Sequence, residues 1–261
     1  MKTVYDALVM NRRARPLYGG IMEQNEMKKA CGYAVIDQCV VSGMKVGMGT
    51  GSTAYYAIER LSQRLQSGDL KNVVAVATSF STQALCQEKG IPVFSLNDSR
   101  IDGRLDCAID GADEVNPANQ LIKGGGAAHL LEKIVEYSAD DFYVIVDESK
   151  LVDVLNRSFP VPLEIIPESR RAVTRNLEKA GFSVELRMAK AKVGPIITDS
   201  GNQILDIFTS DGQGMASGGE CDPVDMEKFL STIPGVVESG LFTRPVTRVF
   251  IGTPEGIQSR G

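Results

Sequence analysis

From Asn25 onward the apolar positions fall into two alternating rhythms. Met27, Ala30, Cys31, Ala34 and Val35 share one stripe at helical spacing, behind Asn25, a residue able to cap a helix. MKVGM (44–48) is then a short continuous apolar run, followed by Ala54, Ala57, Ile58, Leu61 and Leu65 at helical spacing. VVAVA (73–77) precedes the helical stretch STQALCQEKG, and PVFSL (92–96) follows it. LDCAI (105–109) leads into a glycine-rich segment with its own helix, and FYVIV (142–146) closes the series. Continuous apolar strands separated by helices predict an α/β fold: a doubly wound, mostly parallel, Rossmann-like sheet with both faces covered.

After about residue 156 the rhythm changes. The order becomes strand VPLEII (161–166), helix 168–180, strand SVELRM (183–188), strand QILDIF (203–208), helix Pro223–Ile233, strand VVESGL (236–241). That β-α-β-β-α-β order is the ferredoxin-like split unit. VTRVFIG (246–252) is a spare apolar strand that belongs back in the main sheet. The chain therefore reads as an N-terminal extension (1–22), a Rossmann-like domain (23–155 plus 243–261) and an inserted ferredoxin-like α+β domain (156–242). The glycine-rich stretch 212–220 reads as a mobile loop.

Composition narrows the function classes. With 33 acidic against 28 basic residues the formal net charge is −5, which argues against bulk nucleic-acid binding. No apolar run approaches the ~20 residues of a membrane span. Five scattered cysteines without a CxxC pair point to a reducing cytoplasm and against a disulfide scaffold or structural zinc. In residues 1–22, Lys2, Arg12, Arg13 and Arg15 face only Asp6. This gives a faint likeness to an organelle transit peptide, against the preferred reading of a flexible extension.

Four segments could carry chemistry. GMGTGSTA (47–54), between a strand and a helix, fits the loose dinucleotide pattern through Gly49, Gly51 and Ala54. Its bare backbone and helix N-terminus suit an anion, with Ser52 and Thr53 adding hydroxyls. No acid ends the next strand, as a nicotinamide site would require, and GxxxxGK[ST] is absent. A small phosphorylated ligand and a plain helix cap both remain open. DGADE (110–114) puts three carboxylates at the carboxyl end of a buried strand, where open α/β sheets bind ligands; an exposed Asp-Gly turn is the other reading. DESK (147–150) brings Lys150 to the end of the next strand, either to meet a ligand or as a solvated loop lysine.

The fourth segment is KGGGAAHLLEK (123–133). Lys123 is a cation, and Gly124 to Gly126 bare the backbone just before a helix whose buried stripe should be Ala127, Leu130, Leu131 and Ile134. At about 100° per residue Glu132 falls on the flank of that stripe, leaning back toward the glycines. A half-buried carboxylate there could be a general base, or a surface glutamate in ordinary helix pairing. His129, the only histidine, should point to solvent with Lys133 and Glu136. Its H-x-x-E pairing with Glu132 lacks the further ligands of a zinc site, so no metal is expected.

Together GMGTGSTA, DGADE, KGGGAA with Glu132, and DESK resemble, in order and spacing, the ribose-5-phosphate isomerase family of type A. EIIPESRRAV, ITDSGNQILD, IPGVVESGLF and FIGTPEG carry the likeness from about Met27 to Gly256. The resemblance implies that Glu132 is the proton acceptor. It also implies a sugar-phosphate site lined by Thr50, Gly51, Ser52, Thr53, Asp110, Gly111, Ala112, Asp113, Lys123, Gly124, Gly125, Gly126 and Lys150, with Lys28 near the phosphate. It further implies metal- and cofactor-free interconversion of ribose 5-phosphate and ribulose 5-phosphate in the pentose phosphate pathway, by a homodimer or a dimer of dimers. Leu131 and His129 depart from the family's usual residues. The alternatives are a non-catalytic sugar-phosphate-sensing module of the same fold, and a coenzyme A transferase relative using a glutamate nucleophile.

Overall fold

The computed structural model describes residues 23–191, 193–219 and 221–261, so the expectations for residues 1–22 lie outside it. Helix α1 (Gln24–Cys39) begins one residue before Asn25, and the capping position falls to Glu23 rather than Asn25. Then follow β1 (Lys45–Met48), α2 (Ser52–Gln66), β2 (Val74–Ala77), α3 (Phe80–Glu88) and β3 (Leu105–Asp110). Next come β4 (Glu114–Val115), β5 (Leu121–Ile122), α4 (His129–Tyr137) and β6 (Ala139–Asp147). The PVFSL strand shrinks to a single bridge between Val93 and Ala75.

The second unit comprises β7 (Val161–Ile165), α5 (Arg170–Lys179), β8 (Phe182–Leu186), β9 (Gln203–Thr209), α6 (Pro223–Ser231) and β10 (Val236–Ser239). Its four strands are antiparallel in the order β10-β7-β9-β8. The chain returns through β11 (Leu241–Phe242) and β12 (Arg248–Thr253), and ends in β13 (Gly256–Arg260), a hairpin partner that the apolar pattern does not reveal.

The main sheet has the order β13-β12-β6-β3-β1-β2, parallel throughout except for the β12–β13 hairpin. Alternate side chains serve its two faces. Cys107, Ile109 and Ile145 pack with Cys31, Val35, Ala57, Ile58 and Leu61 from α1 and α2. Ala108, Val144, Val146, Val249 and Ile251 form a separate cluster with Phe242 on the other face. There α4 comes close because Gly47 has no side chain: a Cβ at that position would lie 2.6 Å from Val135 Cγ1.

The second unit has its own core, including Leu163, Ile165, Val173, Leu177, Ile207 and Leu230. Met215, in the loop read as mobile, is buried there, and its backbone exchanges hydrogen bonds with Leu155 (2.8 and 3.1 Å). The small sheet β11-β5-β4 stitches the returning chain beside the glycine-rich segment.

Candidate active site

Strands β1, β3 and β6 end on one edge of the sheet, and the four sequence motifs follow the ends of its strands or lie beside them. Gly49 N–H donates to the Ile109 carbonyl (2.9 Å), and Thr50 N–H donates to Asp110 Oδ1 (3.0 Å). Gly111 N–H donates to the same oxygen (2.7 Å). A Cβ on Gly49 would lie 2.0 Å from Asp110 Cγ, so glycine is the residue that lets the two loops meet here. The Thr50 hydroxyl sits among three others, Thr78 (2.7 Å), Ser79 (2.8 Å) and Thr82 (3.0 Å). Gly51 (φ +125°) and Ser52 are exposed at the start of α2, Thr53 is half-buried, and Lys28 Nζ donates to Ser52 Oγ (3.2 Å).

The centre of the site is the ammonium of Lys123. It lies 2.8 Å from Asp110 Oδ2, 3.0 Å from Glu136 Oε1 and 3.4 Å from Glu132 Oε2, and donates to the Gly111 carbonyl (2.7 Å). All four side chains are at most 6% exposed. Three ionised carboxylates around one ammonium would leave two uncompensated charges away from water, so the cluster retains protons.

Burial pushes the Glu132 carboxyl up to about 8; Lys123 pulls it back, and Asp110 and Asp113 add to the rise. Burial, with Asp110 and Glu132, raises Glu136 well above the usual carboxylate range against the pull of Lys123. Burial also penalises the charge on Lys123, but the three carboxylates together hold it well above the ordinary lysine range. The carboxylate oxygens lie within 4.8 Å of one another, a spacing at which acidic groups can share a cation. The ammonium already sits among them, and a metal ion would have to displace it.

The glycine segment is held from both sides. Gly124 (φ +105°) passes so close to the next helix that a Cβ would lie 2.6 Å from His129 Nδ1. Gly125 N–H donates to Asp113 Oδ2 (2.8 Å), and a Cβ there would lie 2.8 Å from Asp113 Oδ1. At Gly126 no atom stands within 4 Å of the Cβ position. Two of the three glycines therefore make room for protein neighbours, and one faces open space. From the second unit, Arg187 Nη1 donates to the Gly124 carbonyl (2.7 Å) and lies within hydrogen-bond reach of the Gly125 carbonyl (3.3 Å).

A family profile for ribose 5-phosphate isomerase A (phosphoriboisomerase A) matches residues 74–256. The chain belongs to the ribose-5-phosphate isomerase A family. Ribose-5-phosphate isomerase A of Treponema denticola is 45% identical over 240 residues, spanning 90% of this chain and 98% of that protein. The protein of the same name from Thermococcus kodakarensis is 46% identical over 237 residues, spanning 91% and 98%. A solved D-ribose-5-phosphate isomerase in complex with phospho-erythronic acid matches with TM-score 0.85 and 42% identity, covering 92% of this chain and 99% of that one. The Methanocaldococcus jannaschii ribose 5-phosphate isomerase A structure matches at 0.83 and 39%, covering 91% and 99%.

The ribose-5-phosphate isomerase A likeness thus carries over from motif to fold, but the helix behind the glycines is turned differently from its sequence reading. His129, Lys133 and Glu136, expected in solvent, are at most 5% exposed. Leu130 and Leu131 are half-buried, and Ile134, expected inside, is 46% exposed. The physical reason is that α4 packs its polar flank against the second unit. Lys133 pairs with Glu227 (2.7 Å) and Glu238 (2.8 Å), and His129 Nε2 meets the Glu238 carbonyl at 3.3 Å. A carbonyl can only accept, so Nε2 carries the proton, and burial pushes the imidazole down to about 3. His129 is a neutral packing residue.

The structure gathers Thr50, Asp110, Gly111, Lys123 and Glu132 into one network of hydrogen bonds and ion pairs, and beside it ties Asp113, Gly124 and Gly125 together through the Gly125 N–H and Arg187. Ala112 is half-buried between Gly111 and Asp113. Gly126 opens the loop toward solvent. Lys150 is half-buried on a single 3₁₀ turn (Glu148–Lys150) after β6, on the same edge but without a bond to the cluster. Glu136 escaped the sequence reading because a second glutamate one turn after Glu132 looks like ordinary helix surface. Ser79 and Thr82 escaped because hydroxyls inside a helix start carry no motif. Arg187 escaped because its target is backbone.

Proposed function

We propose that this chain interconverts D-ribose 5-phosphate and D-ribulose 5-phosphate through a 1,2-enediolate, with Glu132 as the proton carrier, in the non-oxidative pentose phosphate pathway. The observation that carries the assignment of roles is the buried Glu132 carboxyl beside the Lys123 ammonium at the head of the glycine loop. In its ionised form Glu132 takes the C2 proton of the aldose and returns it at C1. A base whose pKa lies near working pH both accepts and releases that proton readily.

Negative charge grows on the carbonyl oxygen, and Lys123 and the exposed glycine-loop N–H groups are the donors available to it. Asp110 and Asp113, tied to the two loops, hold sugar hydroxyls and assist ring opening. The phosphate lies at the start of α2, where Gly51, Ser52 and Thr53 offer backbone and hydroxyl donors and Lys28 stands beside Ser52. Lys150, on the turn after β6 at the same edge of the sheet, is the further cation for this ligand.

Two separate apolar cores support a division into a Rossmann-like domain (23–155 plus 243–261) and a ferredoxin-like domain (156–242). Family membership supports a homodimer or dimer of dimers acting in the cytoplasm, which sedimentation and cell fractionation would read directly. The deciding experiment is an assay of ribose 5-phosphate turnover by wild type and Glu132→Gln. We expect unchanged substrate binding and a loss of about 10²–10⁴-fold in kcat, the usual worth of a general base. Equal rates would remove Glu132 from this role. Substrate binding without any wild-type turnover would replace the isomerase by a sensing module. EDTA should leave the rate unchanged.

A further inference from the structure

We propose that Arg187, contributed by the second unit, is a positioning residue for the isomerisation, aiming the Gly126 N–H into the cleft as a donor to the enediolate oxygen. Arg187 immediately follows β8 and is fixed by Asp206 of β9. Its Nε donates to Asp206 Oδ2 (2.7 Å) and its Nη2 to Asp206 Oδ1, a two-pronged pair that leaves Nη1 pointing at the glycine loop. Both partners are largely buried, at 15% and 17% side-chain exposure.

Nη1 then lies at 2.7 Å from the Gly124 carbonyl and 3.3 Å from the Gly125 carbonyl. A peptide unit is planar and trans, so a carbonyl drawn one way sends the following N–H the opposite way. For the first peptide this can be checked directly: opposite the Gly124 carbonyl, Gly125 N–H meets Asp113 Oδ2 at 2.8 Å. By the same geometry the second peptide turns Gly126 N–H away from Arg187. Among the described residues Gly126 N–H has no acceptor, and nothing stands within 4 Å of the Gly126 Cβ position. Glycine peptides resist rotation least, so this orientation depends on an outside anchor. The anchor comes from the inserted unit, beside but not within the proton-transfer cluster.

The inference rests on the isomerase reading, and its test separates the two. The full chain and its Arg187→Ala, Arg187→Lys and Asp206→Asn variants would be compared by steady-state kinetics, thermal melting and calorimetric binding of phospho-erythronate. The carboxylate of that acid carries charge of the kind an enediolate develops. We expect Arg187→Ala to lose about 10–100-fold in kcat with KM within about threefold, near the lower end of what one preorganised donor contributes. Phospho-erythronate should weaken by a similar factor, as expected for a mimic of the charged state.

Added guanidinium should restore part of the lost kcat. Arg187→Lys should fall between, because one ammonium cannot hold Asp206 and the loop at once, and Asp206→Asn should lose least. Wild-type-like kcat in Arg187→Ala would overturn the inference and leave the isomerase reading standing. So would a loss that follows the unfolded fraction and is not restored by guanidinium. An inactive wild type would overturn the isomerase reading itself.

Discussion

Helices α2 and α4 both follow glycine-rich loops, and their apolar residues recur at similar spacing. In α2 the pattern means what it says: Ala54, Ala57, Ile58 and Leu61 are at most 1% exposed against the sheet. In α4 it is broken: Ile134 is in solvent and Leu130 and Leu131 are only half-buried, while Val135 shares the interior with His129, Glu132, Lys133 and Glu136. The difference lies in what each helix faces. α2 packs beside α1 on an apolar sheet face, so burial follows hydrophobicity. α4 is wedged between the sheet, the Lys123 side chain and the second unit, so its polar side chains are buried by finding partners. Apolar periodicity locates a core; it does not locate an interface built from charges.

The largest effect should come from removing the charge around which α4 is organised. Lys123→Met leaves three buried carboxylates without their cation, and should lower stability by about 3–5 kcal/mol and abolish turnover. Chemical denaturation and the isomerase assay would read both. A core truncation on α2, Leu61→Ala, should cost a comparable ~2–5 kcal/mol yet leave kcat of the folded fraction unchanged. If both variants behaved alike in the assay, the contrast between the two helices would collapse.

Gly49→Ala should come next. Its Cβ would fall 2.0 Å from Asp110 Cγ, forcing apart the carboxylate that touches Thr50, Gly111 and Lys123. Displacement on the scale of 1 Å can cost about 10²-fold in rate, and the overpacking should lower stability by about 1–3 kcal/mol, less than Lys123→Met.

The pH profile follows from Glu132. Its carboxyl is raised to about 8 in the free protein, and only the ionised form accepts a proton. kcat/KM should therefore be near its plateau above pH 8 and fall about tenfold per unit as the pH drops below it. A limb near 4.5 would mean that Glu132 is not desolvated in solution.

His129 sets a separate, stability-linked window. Its folded value of about 3 lies below the ordinary 6.5, so between these values the unfolded chain binds the extra proton. Stability should fall as pH drops from about 6.5 toward 3, and His129→Gln should lack that part of the loss. The smallest effect should be Ile134→Gln: about 0.5 kcal/mol or less, although the apolar pattern alone ranks it with Leu61. A larger cost would mean that another chain covers this face.

These contrasts also mark how far the sequence could be read. The parallel strands, both sets of β-α-β crossovers and the split unit were legible because buried strands and amphipathic helices leave direct traces in apolar spacing. PVFSL has the apolar run of a strand but packs mostly as coil, and β13 leaves no apolar trace because its residues, such as Gln258 and Ser259, are polar and exposed on a sheet edge. Of the candidate site, Gly49, Asp110 and Lys123 stand out in the sequence as unusual residues near strand ends, whereas Glu132 lies on a helix and is singled out only by the family resemblance, since its spacing alone fits a surface glutamate equally well. The second coordination of that site was not legible, because Glu136, Thr82 and Arg187 act through partners more than a dozen residues away in sequence.

Lys123 also carries a consequence for biosynthesis. Its backbone N–H bonds the Gly240 carbonyl (2.9 Å), and β12, which follows the second unit in the chain, covers the flank of β6. While the chain is still emerging from the ribosome, β6 is an open edge carrying Val144, Ile145 and Val146. The loop that carries the ammonium lacks its clasp at the same stage. Nascent chains should therefore hold every residue of the Lys123 charge cluster long before it is enclosed, and should be most exposed to misassembly while the second unit is being made.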